Sequence, residues 1–217
     1  MPGSCPVCRS AQVRRLATVA QRRYWRCASC DAAFLDPLDY LPRHEEHAHY
    51  RTHENHPQDP RYRRFLSRLA APLLKRLPPG SEGLDYGCGP GPALAAMLTE
   101  AGHRMSLYDP LFFPDATPLG HQYDFVTCSE TAEHFHHPAA EFGRLTRLIR
   151  PGGWLGLMTS FCPDDAAFPG WHYLLDPTHV VFYRESTLRH LATSYGWPLT
   201  SPANNVALLQ KPVEHDA

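Results

Sequence analysis

Apolar residues recur along this chain at more than one spacing. Residues 13–20 and 22–26 are short runs that read as two strands of a hairpin. In residues 61–77 the spacing becomes helical. Phe65, Leu66, Leu69, Leu73, Leu74 and Leu77 share one face, arginines take the other, and Pro78-Pro79-Gly80 ends the run. Strand-like and helix-like runs then take turns. Residues 83–86 close a buried strand, and an Ala/Leu-rich helix continues to about Ala101, where Gly102 stops it. Strands are expected at 103–108, 123–129, 154–159 and 206–210. Helices are expected at 138–148, with Phe142, Leu145 and Leu148 inward, and at 184–195. The alternation predicts an α/β fold, a mainly parallel sheet with helices on both faces.

The 217 residues suffice for one ordinary domain and a small appendage. At 43% hydrophobic residues and a net charge of −1, a soluble globular protein is expected. No run of about 18 apolar residues is present, so no membrane partner is expected. The first residues lack an apolar secretory core, which makes a cytoplasmic protein the expectation. The small net charge hides an asymmetry. Residues 1–76 carry 14 of the 21 Lys and Arg and 7 of the 22 Asp and Glu; the remainder carry 7 and 15. Such a split signals either an anionic partner or two modules that attract each other.

Four of the seven cysteines form two knuckles, Cys5-x-x-Cys8 and Cys27-x-x-Cys30. Each knuckle turns two thiolates toward one ion, and the separation suits a four-cysteine zinc site in a ribbon over residues 1–38. Disulfides are the other reading, disfavoured in a chain without a secretion signal. A closed all-thiolate site has no open coordination position, so its role is structural. Tyr24 and Trp25 read as ribbon core or as stacking platforms for bases. Residues 39–80 form a linker, lid and lead-in helix, with histidines at 44, 47, 49, 53 and 56 read as a solvated face. The third segment is residues 81–217.

The densest chemistry begins at Leu84-Asp85-Tyr86-Gly87-Cys88-Gly89-Pro90-Gly91. A glycine-rich strand-to-helix turn lets backbone amides approach a ligand, and the helix N-terminus favours negative charge. A dinucleotide fingerprint would need glycine at position 92, which is Pro92. An acid two residues ahead of G-x-G-x-G instead resembles motif I of the class I S-adenosylmethionine (SAM) dependent methyltransferases. Tyr123 to Ser129 resembles that family's fourth strand, and the residues around Arg150-Pro151-Gly152-Gly153 match a frequent signature. The resemblance implies a Rossmann-like sheet with SAM on the glycine turn. Asp85 would hold the amino group and Asp109, ending the second strand, the ribose hydroxyls. Gly87, Cys88, Gly89, Gly91, Leu111, Ser129 and the lid residue Tyr50 would line the rest. Only residues 110–122 separate Asp109 from the fourth strand, too few for the family's usual helix and third strand. The sheet should be shortened, with Asp115, Leu111 or Phe112 left to meet the adenine.

After the fourth strand comes Glu130-Thr131-Ala132-Glu133-His134. One helical turn there would put the carboxylates and imidazole on one face, a divalent-metal half-site. The string resembles that of ubiquinone-biosynthesis O-methyltransferases and of small-RNA 3′-terminal 2′-O-methyltransferases. In the latter these residues and a later histidine hold a metal that grips a ribose diol. His179 is the fourth-ligand candidate and His172 its competitor. A metal such as magnesium or manganese would lower the pKa of an acceptor hydroxyl; without metal, His134 is a general base. Trp171, Tyr173, Phe161 and Phe168 suggest an aromatic-lined acceptor pocket. The leading expectation is O-methylation of a small molecule. The alternatives are an RNA methyltransferase gripping phosphates with the basic ribbon, and a non-catalytic zinc-dependent scaffold. Oligomeric state is not legible.

Overall fold

The computed structural model describes residues 2–51 and 56–213; His53 lies outside the described residues. Two sheets organise them. The larger has six strands, β4 (Glu82–Tyr86), β5 (Arg104–Tyr108), β6 (Tyr123–Ser129), β7 (Ile149–Met158), β9 (Leu199–Ala203) and β10 (Val206–Gln210), in the order β5-β4-β6-β7-β10-β9. The first four run parallel, and β10 lies antiparallel between β7 and β9.

Strand alternation divides the core between the two faces. Along β6, Phe125 packs with Leu66, Leu69 and Leu73 of α2 (Pro60–Leu74) and Leu94 of α3 (Ala93–Glu100). Its neighbour Val126 packs with Phe142 of α4 (Pro138–Arg147) and Leu188 of α5 (Glu185–Tyr195). Successive strand residues point to opposite faces, so one buried run serves both layers. Asp59 caps α2 by accepting a bond from Arg61 N at 2.8 Å. The helix stops three residues short of the periodic pattern, which ends at Leu77.

The shortened sheet is present. Between β5 and β6 the described residues make only an Asp109–Phe113 bridge and one tight turn, Thr117–Gly120. β5 therefore forms the edge of the sheet. Strand β7 begins at Ile149, earlier than the periodicity suggested, because the Arg150–Gly153 turn is drawn into an irregular pairing with β6.

The smaller sheet has the order β1-β2-β3-β8: β1 (Val13–Val19), β2 (Arg22–Cys27), β3 (Ala33–Leu35) and β8 (Val181–Phe182). The first two are the anticipated hairpin. The fourth comes from near the other end of the chain, with Ala33 opposite Phe182 and Phe34 opposite Val181. Alternation again decides the packing. Trp25 and Phe34 join the core that holds Phe142 and Tyr183, whereas Tyr24 and Leu35 join Phe168, Tyr173 and Phe182. The first 35 residues are thus sewn into the body. Arg14 and the buried Arg26 both pair with Asp165, the latter at 2.9 Å, and Arg184 reaches the same carboxylate at 2.8 Å. Basic residues of the N-terminal module meet an acid of the body, in line with mutual attraction. A short helix, α1 (Arg43–Tyr50), follows, and no described helix is long and apolar enough to cross a membrane.

Candidate active site

The parallel strands β4, β5 and β6 end together, and their C-terminal ends carry the candidate chemistry. Gly87 follows β4 at φ +74°, a left-handed conformation open to glycine. A Cβ there would sit 2.1 Å from Thr131 Cγ2. Thr131 Oγ1 donates to Gly87 O at 3.0 Å, tying this loop to the one after β6. Gly89 also has a positive φ, and its amide donates to Asp109 Oδ2 at 3.0 Å. The other Asp109 oxygen accepts from Leu111 N and Phe112 N at 2.9 and 3.0 Å. Asp109 therefore clips the glycine loop to its own turn. Three amides leave about one of its four lone-pair positions for a further donor.

Asp85 is buried and accepts from Thr127 Oγ1 at 2.7 Å. Burial pushes its carboxyl up to about 6, against the pull of Thr127. A close-fitting glycine loop flanked by two buried carboxylates fits a cationic sulfonium amino acid joined to a ribose. Cys88 sits in this loop, its thiol pushed up by burial and by Asp85 and Asp109. Gly91 is buried and its carbonyl accepts from Ala93 N at 2.7 Å. Ser129 Oγ is buried without a hydrogen-bond partner. Asp115 is exposed and binds Thr117 of its own turn. Tyr50 lies edge-on to His134 at 5.3 Å, and its hydroxyl donates to Glu46. A residue missed in the sequence is Tyr62, in the first turn of α2. Burial, with the charges of Asp85 and Glu130, pushes its phenol up to about 12. Its position one turn after the Asp59 cap was the available signal.

The acceptor side departs from one helical face. Glu130 follows β6 at φ +48°, and its amide donates to Met158 O at 2.7 Å, which ties it to the end of β7. Only Ala132–His134 form a tight turn. Ligand atoms of Glu133, His134 and His179 lie within 4.8 Å of one another; Glu130 stands outside that group. It is joined instead through Tyr173, whose Oη lies 3.2 Å from Glu130 Oε2 and donates to Glu133 Oε1. His172 is exposed, leaving His179 as the histidine of the cluster.

Both clustered histidines are held by Nδ1. His179 Nδ1 lies 2.7 Å from Tyr173 O, and His134 Nδ1 lies 3.0 Å from Thr178 Oγ1. Glu133 is fully buried, and its Oε2, like Glu130 Oε1, has no hydrogen-bond partner. An orphaned carboxylate oxygen beside two imidazoles suits a divalent cation. Burial draws His134 down to about 4, so its ring is neutral at pH 7. Burial and the Glu133 charge push Glu130 up to about 9, so it keeps a proton. That proton completes the bonding, since one phenol hydrogen cannot serve two carboxylates. Around the rim, His49 lies 3.2 Å from Asp176 and His136 lies 3.3 Å from Glu46, which hold α1 beside the cluster.

In the ribbon the four thiols also converge. Cys5 and Cys30 sulfurs lie 3.7 Å apart and Cys8 and Cys27 sulfurs 3.5 Å, close to the roughly 3.8 Å edge of a tetrahedron with ~2.3 Å metal–sulfur bonds. All seven cysteines are free thiols. The bond from Cys30 draws Cys5 down to about 5.

Comparison with known proteins identifies the family and the fold. A family model described as a methyltransferase domain matches residues 50–201. No curated protein matches the chain. Among solved structures, the chain is similar to a 1,6-didemethyltoxoflavin-N1-methyltransferase of Burkholderia thailandensis, solved with its substrate and S-adenosylhomocysteine. The identity is 18% and the TM-score 0.50, over 92% of this chain and 99% of that one. An O-methyltransferase family protein of the same organism is 18% identical with TM-score 0.50, over 73% of this chain and 62% of that one. These likenesses extend to the fold. The family match takes in most of the sequence, from the end of α1 to β9, and the chain belongs to the methyltransferase domain family as a SAM-dependent methyltransferase.

Proposed function

We propose that this enzyme methylates a hydroxyl of a small molecule and that a divalent metal, magnesium or manganese, assists at Glu133, His134 and His179. The observation that carries the reading is the orphaned Glu133 Oε2 beside two imidazoles whose Nδ1 atoms are already engaged. When bound, SAM supplies an electrophilic methyl group and the metal lowers the pKa of an acceptor hydroxyl. The chain's own residues orient and discriminate. Asp85 would hold the cationic end of the cofactor and Asp109 its ribose, beside a Gly87 loop whose close approach to Thr131 requires glycine. His134, neutral at pH 7, offers Nε2 either as a ligand or as the acceptor of the hydroxyl proton. Tyr50 and α1 limit water above it.

The four cysteines are proposed to hold a structural zinc. The ribbon is proposed to build the acceptor side rather than to grip RNA. Supporting this, Arg14 and Arg26 are committed to Asp165 and Arg23 to Asp39, and Leu35 N donates to Val180 O at 2.8 Å.

The test is a metal-dependence assay on zinc-loaded protein with a panel of phenols and diols. Brief chelation should abolish transfer, manganese or magnesium should restore it, and binding of S-adenosylhomocysteine should be unaffected. Transfer that persists after chelation, or that appears only with RNA acceptors, contradicts the proposal.

A further inference from the structure

Tyr173 has no role in the chemistry above, yet it touches more of the acceptor cluster than any ligand candidate does. Its hydroxyl donates to Glu133 Oε1 and lies 3.2 Å from Glu130 Oε2. Its carbonyl receives His179 Nδ1 at 2.7 Å, and its ring packs on the His179 ring with centroids 4.1 Å apart. Thr159 Oγ1 and Ser160 N, at 3.4 and 3.5 Å, approach the hydroxyl from the end of β7. The side chain is 8% exposed and packed with Leu35, Phe168 and Phe182.

We infer that Tyr173 is the positioning residue of the acceptor-side metal site: it binds Glu133 by one oxygen and His179 by one nitrogen, leaving the other oxygen and the other nitrogen to an ion. This inference rests on the function proposed above. A carboxylate with one oxygen committed to a phenol cannot swing, and its free oxygen is the one without a partner. A histidine that donates Nδ1–H to a carbonyl presents a lone pair at Nε2. Two ligands are thereby set by one residue from a different segment. Glu130 lies behind the phenol and outside the cluster, so the site is a three-residue site with Glu130 in support, not a four-ligand one. Three protein ligands leave coordination positions open for an acceptor.

Ligand supports of this kind change metal affinity by about 10–100-fold when removed. The experiment is calorimetric titration of manganese into the full chain with its ribbon zinc in place, comparing wild type, Tyr173→Phe and Glu130→Gln. Tyr173→Phe keeps the ring and the carbonyl and should weaken manganese binding by about 10–100-fold while S-adenosylhomocysteine affinity holds within ~2-fold. Glu130→Gln, which can still donate to the phenol oxygen, should stay within ~3-fold of wild type for manganese. Equal affinity in Tyr173→Phe and wild type overturns the inference. So does a loss in Glu130→Gln as large as a four-ligand site demands, an arm that stands even should Tyr173→Phe fold poorly. A wild-type protein that takes up no manganese beyond the cysteine site instead removes the functional reading beneath it.

Discussion

Asp109 and Glu133 are buried carboxylates serving the same end of one sheet, yet they are held in different ways. Asp109 receives three backbone amides, two of them from its own turn. Glu133 keeps one oxygen without a partner and is steadied by Tyr173, forty residues away in sequence. Its own carbonyl accepts from Val180 N, whose carbonyl in turn accepts from Leu35 of the ribbon. The cofactor half is therefore self-contained, while the acceptor half is assembled from four separate stretches of chain. One consequence is that damage should separate in one direction: changes in the ribbon act on the acceptor side and spare SAM, whereas the glycine loop reaches the acceptor side only through Thr131.

The largest effect is expected at Gly87. Gly87→Ala places a Cβ against Thr131 in a left-handed backbone, which must open the loop. Affinity for S-adenosylhomocysteine should fall by at least about 100-fold (~2.7 kcal/mol), with a smaller loss of manganese uptake, passed on through Thr131. Calorimetry on each ligand checks both halves of the statement.

Next in size is Cys8→Ser. Thiolate–metal bonding in a small ribbon contributes folding free energy directly, so stability should fall by roughly 3 kcal/mol or more. Hydrogen exchange should show the loss concentrated at residues 173–182, through the β3–β8 pairing, and sparing residues 85–91. Equal deprotection of both stretches would erase the distinction between the halves.

The smallest effect is a pH dependence at Asp85. Its folded pKa, about 6, lies above the ordinary carboxyl value of 3.8. Such a group favours the folded state when protonated, so its contribution turns unfavourable as pH rises from 3.8 through 6. SAM, whose amino group is a cation, should reverse part of that by preferring the ionised form. Its affinity should therefore rise as pH passes 6 and level off above it. Asp85→Asn should bind more weakly and lose the slope; a wild-type affinity flat from pH 5 to 7 would count against the assigned contact.

The same contrast explains what could be read in advance. Gly87, Gly89 and Asp109 are joined by short-range contacts around one loop, so their nearness was legible from spacing and from the motif resemblance. The shortened sheet was legible because residues 110–122 are too few for another unit. The Cys knuckles likewise carry their geometry locally. The acceptor side depends on contacts that spacing does not encode. A regular helical turn was the natural reading of Glu130 to His134, but Glu130 takes a left-handed backbone and its amide is bound by the Met158 carbonyl. Tyr173 was visible only as an aromatic among others, since its bonds to Glu133 and His179 exist because β8 pairs with the ribbon. Two-residue β8 has no pattern of its own. Nothing local tells α1 to lie against His134, so the place of Tyr50 beside that ring was not legible either.

The most direct test of the account is a crystal structure with S-adenosylhomocysteine and manganese, using anomalous scattering to locate the ion. The account predicts a manganese peak bounded by Glu133 Oε2, His134 Nε2 and His179 Nε2, next to the sulfur held over the Gly87 loop, with zinc confined to the four cysteines. Manganese absent from that cluster while S-adenosylhomocysteine fills the crevice would contradict the metal-assisted acceptor site.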